Sequence, residues 1–189
     1  MAAFDHVTIL FSFVYALALT HVLSRLAGLL SARARVRFSW LPVLWMAIAV
    51  LLVFGNWLSL WDGRALQTWT LYSISLQFLL AVTLYFVCAM AAPEFSVEGP
   101  IDMQALYAQT RVPLFWLLLG LCLVGVLANL SLSEINPQIF AGQNILTLVF
   151  AAAAALPLAV RKGWAEWTGA IICLLLSCAF LGLFEGALR

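Results

Sequence analysis

The side chains that could do chemistry begin in the first apolar segment of the sequence. Within FDHVTILFSFVYALALTHVLSR, residues 4–25, an otherwise apolar run carries one acid, two histidines, a tyrosine and several hydroxyls. Asp5 and His6 could exchange a proton with Glu185, because carboxylates and imidazoles are common general acids and bases. All three lie near the ends of apolar runs, where charged side chains usually meet water. We therefore expect no catalytic site from them.

Other chemistry lacks its sequence signals. The chain has no GxxxxGK[ST] and no GxSxG, which are signatures of nucleotide hydrolysis and of serine hydrolases. His6 and His21 would lie about 22 Å apart along one helix, too far to bind one haem iron from both sides. We expect no catalytic residues, no metal and no cofactor, and we interpret the protein as non-enzymatic.

The composition identifies the solvent around the protein. Hydrophobic residues make up 66% of the 189 residues and charged residues only 9%, against about half and about a quarter in a soluble domain. A chain of this length cannot bury so many apolar residues in a core of its own, so we expect lipid around it. The net charge of +1 provides no basic field for nucleic acid. Membrane lipid is therefore an expected partner, and nucleic acid is not.

Six segments are long and apolar enough to cross a bilayer, which takes about 20 residues in a helix. Their approximate bounds are 5–30, 41–61, 69–91, 112–130, 139–160 and 167–187. None shows the alternation of a barrel strand, and backbone in lipid must satisfy its own hydrogen bonds. The sequence predicts an all-α polytopic membrane helix bundle with six transmembrane helices, as one transmembrane domain over residues 1–189.

The longest connection precedes the fourth span. Pro100 is suited to a first helical turn, and Asp102 is suited to a helix N-terminus. These residues predict a short cytoplasmic helix over about 100–111. Pro113 then predicts a fresh start or a bend.

The distribution of lysine and arginine predicts the orientation, because short cytoplasmic loops are enriched in both. With the N-terminus outside, the inner loops hold six basic residues and the outer side holds two. The inner set is Arg33, Arg35, Arg37, Arg111, Arg161 and Lys162, and the outer set is Arg64 and Arg189. We expect an N-out, C-out protein. The first segment lacks the leading positive charge of a signal peptide, which predicts that it is retained as a helix.

Polar side chains concentrate in the predicted outer halves of the spans. Thr8, Ser12 and Tyr15 follow helical spacing, as do Ser73 and Gln77. Polar groups in lipid are costly unless they bond inside the bundle. We therefore predict a polar chamber with an apolar floor, lined by Thr8, Ser12, Tyr15, Asn56, Ser59, Ser73, Gln77, Asn129 and Asn144.

A second interpretation of these polar residues stays open. Ser, Thr, Asn and Gln commonly join membrane helices through hydrogen bonds worth roughly 0.6–2 kcal/mol. Small residues add to such packing, and the chain has a GxxxG at 182–186 and an alanine run at 151–155. The same side chains therefore fit either plain helix packing or a binding chamber.

Three stretches resemble a group of uncharacterised bacterial six-span inner-membrane proteins. They are the first helix, NWLSLWDGR at 56–64 and PEFSVEGPIDMQALYAQTR at 93–111. The resemblance implies a six-span fold and a place in the bacterial inner (cytoplasmic) membrane. It implies no activity.

Two functions are compatible with these observations. The first is a protein that binds a small ligand, a lipid or a partner helix in a polar chamber in its periplasmic half. The alternative is an oligomeric channel or facilitator whose path runs between subunits, since the inner half of one subunit lacks a polar route. A second copy of the chain or another membrane protein is therefore a candidate partner.

Overall fold

Long apolar runs in this chain fold into helices, because an α-helix satisfies all its backbone hydrogen bonds without water. The computed structural model describes the backbone of residues 3–60, 70–96, 99–131, 137–160 and 162–187, and the side chains within 7–60, 70–96, 99–131, 141–160 and 162–182. The helices are α1 (Ala3–Ser31), α2 (Trp40–Ser59), α3 (Leu71–Ala91), α4 (Met103–Ser131), α5 (Pro137–Ala159) and α6 (Gly163–Ala187).

All six helices are long and apolar enough to cross a membrane. The predicted all-α six-span fold is therefore confirmed, and the protein is a multi-pass membrane protein. A short 3-10 helix (Arg33–Arg35) and two strands of two residues, β1 (Val36–Arg37) and β2 (Ile101–Asp102), connect the helices.

The fourth helix starts earlier than its apolar run. Instead of a short helix over 100–111 and a new span after it, the structure has one helix of 29 residues, Met103–Ser131, with Pro113 inside it. Its N-terminus is capped by Asp102, whose Oδ1 accepts from the backbone N–H groups of Gln104 and Ala105 at 2.9 and 3.1 Å. At about 44 Å the helix exceeds the hydrocarbon core, so its first turns can leave the bilayer without a break.

Five of the helices form a closed ring. Each of α2, α3, α4, α5 and α6 contacts the next, and α6 closes the ring against α2. The first helix lies outside this ring and packs on α3 and α2. Its buried stripe, Phe11, Tyr15, Ala18 and Val22, recurs at helical spacing along one face.

Successive helices run in opposite directions, so the connections gather at two ends of the bundle. One end, here called the basic end, contains residues 31–40, 91–96, 99–103, 159–160 and 162–163. There β1 pairs in parallel with β2, and the Ser39 hydroxyl donates to Gln104 Oε1 at 2.8 Å. The His21 Nε2–H donates to the Ala92 carbonyl at 3.0 Å, which ties α1 to the end of α3.

Ion pairs reinforce the basic end. Arg25 pairs with Glu94 and Arg111 with Glu166, while the exposed Arg37 lies 3.4 Å from Asp102. The Arg111–Glu166 pair contains the most buried of these charged side chains, since the arginine side chain is 42% exposed and the carboxylate side chain 9%. It joins the third turn of α4 to the first turn of α6.

Helices α5 and α6 approach closely at Gly169. Pro157 has no N–H, so the Ala153 carbonyl receives no helical hydrogen bond from that position. Gly169 lies against this carbonyl, and a Cβ at position 169 would be 2.8 Å from the oxygen. The close contact between α5 and α6 is therefore at Gly169. Gly182 of the GxxxG, by contrast, has no neighbour within 4 Å of an added Cβ.

The contact at Gly169 generates a first prediction. Gly169→Ala should lower the free energy of unfolding by about 1–3 kcal/mol, because the methyl group meets backbone that can move only if the two helices separate. The matched control is Gly120→Ala in α4, where an added Cβ meets nothing within 4 Å; it should be neutral or stabilise by up to about 1 kcal/mol. Thermal unfolding of the purified protein in detergent measures both, and equal melting temperatures for the two variants would contradict the close contact.

The unequal burial of the Arg111–Glu166 pair generates a second prediction. Arg111→Gln should destabilise by about 3 kcal/mol, since it leaves a buried carboxylate without its partner. Glu166→Gln should cost about 1 kcal/mol, because the half-exposed guanidinium can still reach water or headgroups.

Chemical denaturation in detergent compares the two variants, with Arg37→Gln at the exposed pair as a control that should cost less than about 1 kcal/mol. A larger loss from Glu166→Gln than from Arg111→Gln would show that the carboxylate is not held by this arginine.

Candidate functional site

The helix ring lines a partly open cavity of about 130 Å³, here called the ring cavity. Its walls come from α2, α3, α4, α5 and α6, and none of the described α1 side chains, 7–31, lines it. Its polar lining lies near the end of α2, the start of α3, the end of α4 and the start of α5. The ring cavity therefore occupies the half of the bundle away from the basic end.

Amides and hydroxyls form the polar part of the lining: Asn56, Ser59, Gln77, Asn129, Gln143, Thr147 and Ser177. The remaining lining is largely apolar and includes Leu51, Leu80, Leu121, Leu146, Phe150 and Leu176. No carboxylate, imidazole, guanidinium or amine is present among the described residues that line the cavity. Such a surface can bind a molecule by hydrogen bonds and apolar contact, and it offers no strong general acid or base.

Toward the basic end the ring is filled by large apolar side chains. Trp45 and Phe115 meet edge to face with ring centroids 5.2 Å apart, and Leu84 and Leu118 are buried beside them. This packed layer separates the ring cavity from the basic end.

Four of the nine residues predicted to line a chamber do line the ring cavity: Asn56, Ser59, Gln77 and Asn129. Asn144 is next to them, and its Oδ1 accepts from the Asn129 Nδ2 at 2.9 Å. This bond joins α4 to α5. Ser73 is buried in the first turn of α3, where its N–H donates to the hydroxyl of the N-cap residue Thr70 at 3.1 Å.

The structure places the other three, Thr8, Ser12 and Tyr15, outside the ring cavity, because α1 packs on the outer surface of the ring. The Thr8 and Tyr15 hydroxyls are buried and have no hydrogen-bond partner among the described residues. The side chains of Asp5, His6 and Glu185, considered above as an acid–base group, lie outside the described residues. Helical spacing identified a shared face on α1 but not the helices against which that face packs.

Most hydroxyls in the ring cavity bond to their own helix. Ser59, Thr147 and Ser177 each donate to a backbone carbonyl three or four residues earlier, at 2.8–2.9 Å. The Asn56 Nδ2 does the same at 2.9 Å. These bonds use the hydroxyl protons and one N–H of Asn56, and they leave oxygen lone pairs and the second Asn56 N–H without a partner on their own helices.

Gln77 differs from these side chains. It lies in the second turn of α3, is only 8% exposed and lines the ring cavity. Its amide makes no hydrogen bond within the described part of the chain. A buried polar group usually has a partner, so Gln77 presents both an acceptor and two N–H donors to the cavity without protein groups to satisfy them.

Three polar lining residues were not among the nine: Gln143, Thr147 and Ser177. The first two are four residues apart on α5, so helical spacing could have found them. Ser177 is an isolated serine in an apolar helix, and only the position of α6 in the ring reveals its place. Among the described residues no three His, Cys, Asp or Glu side chains are grouped to hold a metal ion.

The comparisons with known proteins add no relative to this geometry. No family model, no curated protein and no solved structure matches the chain. The resemblance to the bacterial six-span group therefore stays an expectation.

Proposed function

We propose that this chain is a non-enzymatic protein of the bacterial inner membrane that binds a small ligand or a lipid group in the ring cavity. In this proposal the ring cavity is in the periplasmic half of the bilayer, and the basic end is cytoplasmic. The observation that carries the proposal is the buried Gln77 amide, which faces the cavity without a hydrogen-bond partner among the described residues.

The Gln77 amide is exposed to the ring cavity and has no partner among the described residues. Inside a bilayer, a donor or acceptor that stays without a hydrogen bond costs about 1–3 kcal/mol. If Gln77 served only to join helices, its amide would bond to a neighbouring helix, as Asn129 bonds to Asn144. Its amide instead faces a space large enough for a small molecule, since an engineered cavity of about 150 Å³ admits benzene. A ligand with hydrogen-bonding groups would satisfy it.

The proposed orientation is supported by the charges at the basic end. Arg33, Arg35, Arg37 and Lys162 are exposed there, and short loops rich in lysine and arginine are typically cytoplasmic. Exposed Trp40, Trp164 and Trp167 at the same end fit an interfacial aromatic belt. Arg64, Arg161 and Arg189 lie outside the described residues.

Replacing Gln77 tests the binding role. Gln77→Leu should leave the ligand-free protein as stable as the wild type or up to about 2 kcal/mol more stable, because it removes an unsatisfied buried amide. The same change should abolish any rise in melting temperature that native lipid extract gives to the wild type. Thermal unfolding in detergent, before and after addition of the extract, measures both effects.

The control is Ser75→Ala, two residues away on the exposed face of α3, which should keep the response to the extract. Two results would contradict binding in the ring cavity. One is a Gln77→Leu protein that is clearly less stable without ligand, which would identify Gln77 as a packing residue. The other is a wild type that shows no response and carries no molecule on native mass spectrometry.

Cysteine labelling tests the orientation. Arg33→Cys at the basic end should react with a membrane-impermeant maleimide only after the inner membrane of spheroplasts is opened. Leu71→Cys, at the opposite end and 81% exposed, should react in intact spheroplasts. The wild type serves as the background control for its own four thiols. Labelling of Arg33→Cys in intact spheroplasts, with protection of Leu71→Cys, would reverse the proposed topology.

A further inference from the structure

We propose that the group bound in the ring cavity is a neutral, hydroxyl-bearing group of about the size of glycerol. This inference rests on the proposed function and specifies the chemistry of its ligand. It follows from which hydrogen-bonding atoms of the lining are already used, from the absence of charge in the described lining, and from the size and apolar share of the cavity.

The hydroxyls of the lining cannot act as donors to a ligand without breaking existing bonds. Ser59, Thr147 and Ser177 each donate their single proton to a carbonyl of their own helix. A hydroxyl that donates once keeps two lone pairs. These three oxygens are therefore available only as acceptors.

The amides add further acceptors and a few donors. The Asn56 Nδ2 donates to a backbone carbonyl, which fixes the orientation of the amide and leaves Oδ1 as an acceptor and one N–H as a donor. Asn129 is bonded to Asn144 through one N–H of its Nδ2, which leaves its Oδ1 and its second N–H. Gln77 offers both an oxygen and its N–H groups. A ligand group that both donates and accepts hydrogen bonds matches this set.

The lining disfavours ionic ligand groups. A carboxylate, phosphate or ammonium group loses several kcal/mol of hydration when it is removed from water, and an opposite charge is the usual compensation. The described lining residues provide neither. Among neutral groups, a hydroxyl both donates and accepts, whereas an ether or ester only accepts and would leave the lining oxygens facing lone pairs.

The size and the apolar wall set the shape of the ligand group. A cavity of about 130 Å³ is similar to one that admits a six-atom ring, and glycerol also has six heavy atoms. Leu80, Leu121 and Phe150 form part of the apolar wall, which suits an attached hydrocarbon. Two sources share this chemistry: the glycerol group of a lipid and a free polyol.

A series of probes that share an eight-carbon chain and differ in their polar group tests the inference. Purified protein in detergent is titrated with 1-monooctanoylglycerol, its 2,3-dimethyl ether, octylammonium and octanoate, and separately with free glycerol. Native mass spectrometry and the shift in melting temperature report binding. We expect 1-monooctanoylglycerol to bind about tenfold or more tightly than its dimethyl ether, since buried acceptors left without donors are costly. The two ionic probes should bind no better than the ether.

Variants identify the site of binding. Gln77→Leu should weaken the preference for free hydroxyls, because it removes one of the lining acceptors, and Ser75→Ala should keep the full preference. If glycerol alone binds as tightly as 1-monooctanoylglycerol, the polyol is the source; if only the acylated probe binds, a lipid is. Both results support the neutral hydroxyl group.

Three results would overturn the inference: equal binding of the dimethyl ether, tightest binding of an ionic probe, or a hydroxyl preference that Gln77→Leu leaves undiminished. The proposed function is judged separately by the lipid-extract experiment. A Gln77-dependent response to the extract combined with any of these three results would reject the ligand class and leave the binding cavity intact.

Discussion

The structure depends on one constraint: inside a bilayer, a polar group must find its hydrogen bond within the protein. The helices satisfy this constraint for the backbone. The hydroxyls of Ser59, Thr147 and Ser177 satisfy it by donating to carbonyls of their own helices. Asn129 and Asn144 satisfy it by a hydrogen bond between two helices. Inside the ring cavity the Gln77 amide has no partner among the described residues, and unlike the unpartnered Thr8 and Tyr15 hydroxyls it faces a space that can hold a molecule.

The two halves of the bundle differ in how tightly their side chains pack. Near the basic end, Trp45 and Phe115 pack tightly, and ion pairs and the β1–β2 pairing join the connections. The other half has more polar side chains and contains the ring cavity. In the proposed function, this packed layer would hold the lining acceptors in place before a ligand arrives, which would lower the entropic cost of binding.

The sequence predicts the spans well, because length and hydropathy are properties of each segment alone. The start of α4 escaped prediction: Pro113 suggested a break, yet the helix continues through it, with its N-terminus capped by Asp102. Positions in the ring were harder. Asn56 and Gln77 were assigned to a shared interior, and they share one. Tyr15 and Ser177 could not be placed, because helical spacing shows which residues share a face and not which neighbour covers it.

The closure of the ring between α2 and α6 has a consequence for biogenesis. Helices emerge from the ribosome in order, so an early helix must wait for the last one before the circle is complete. Until α6 has packed against α2, Asn56 faces a ring that is still open on one side. The ring cavity is therefore complete only after α6 has been inserted. A chain that terminates before α6 would expose its amides to the surrounding fatty acyl chains.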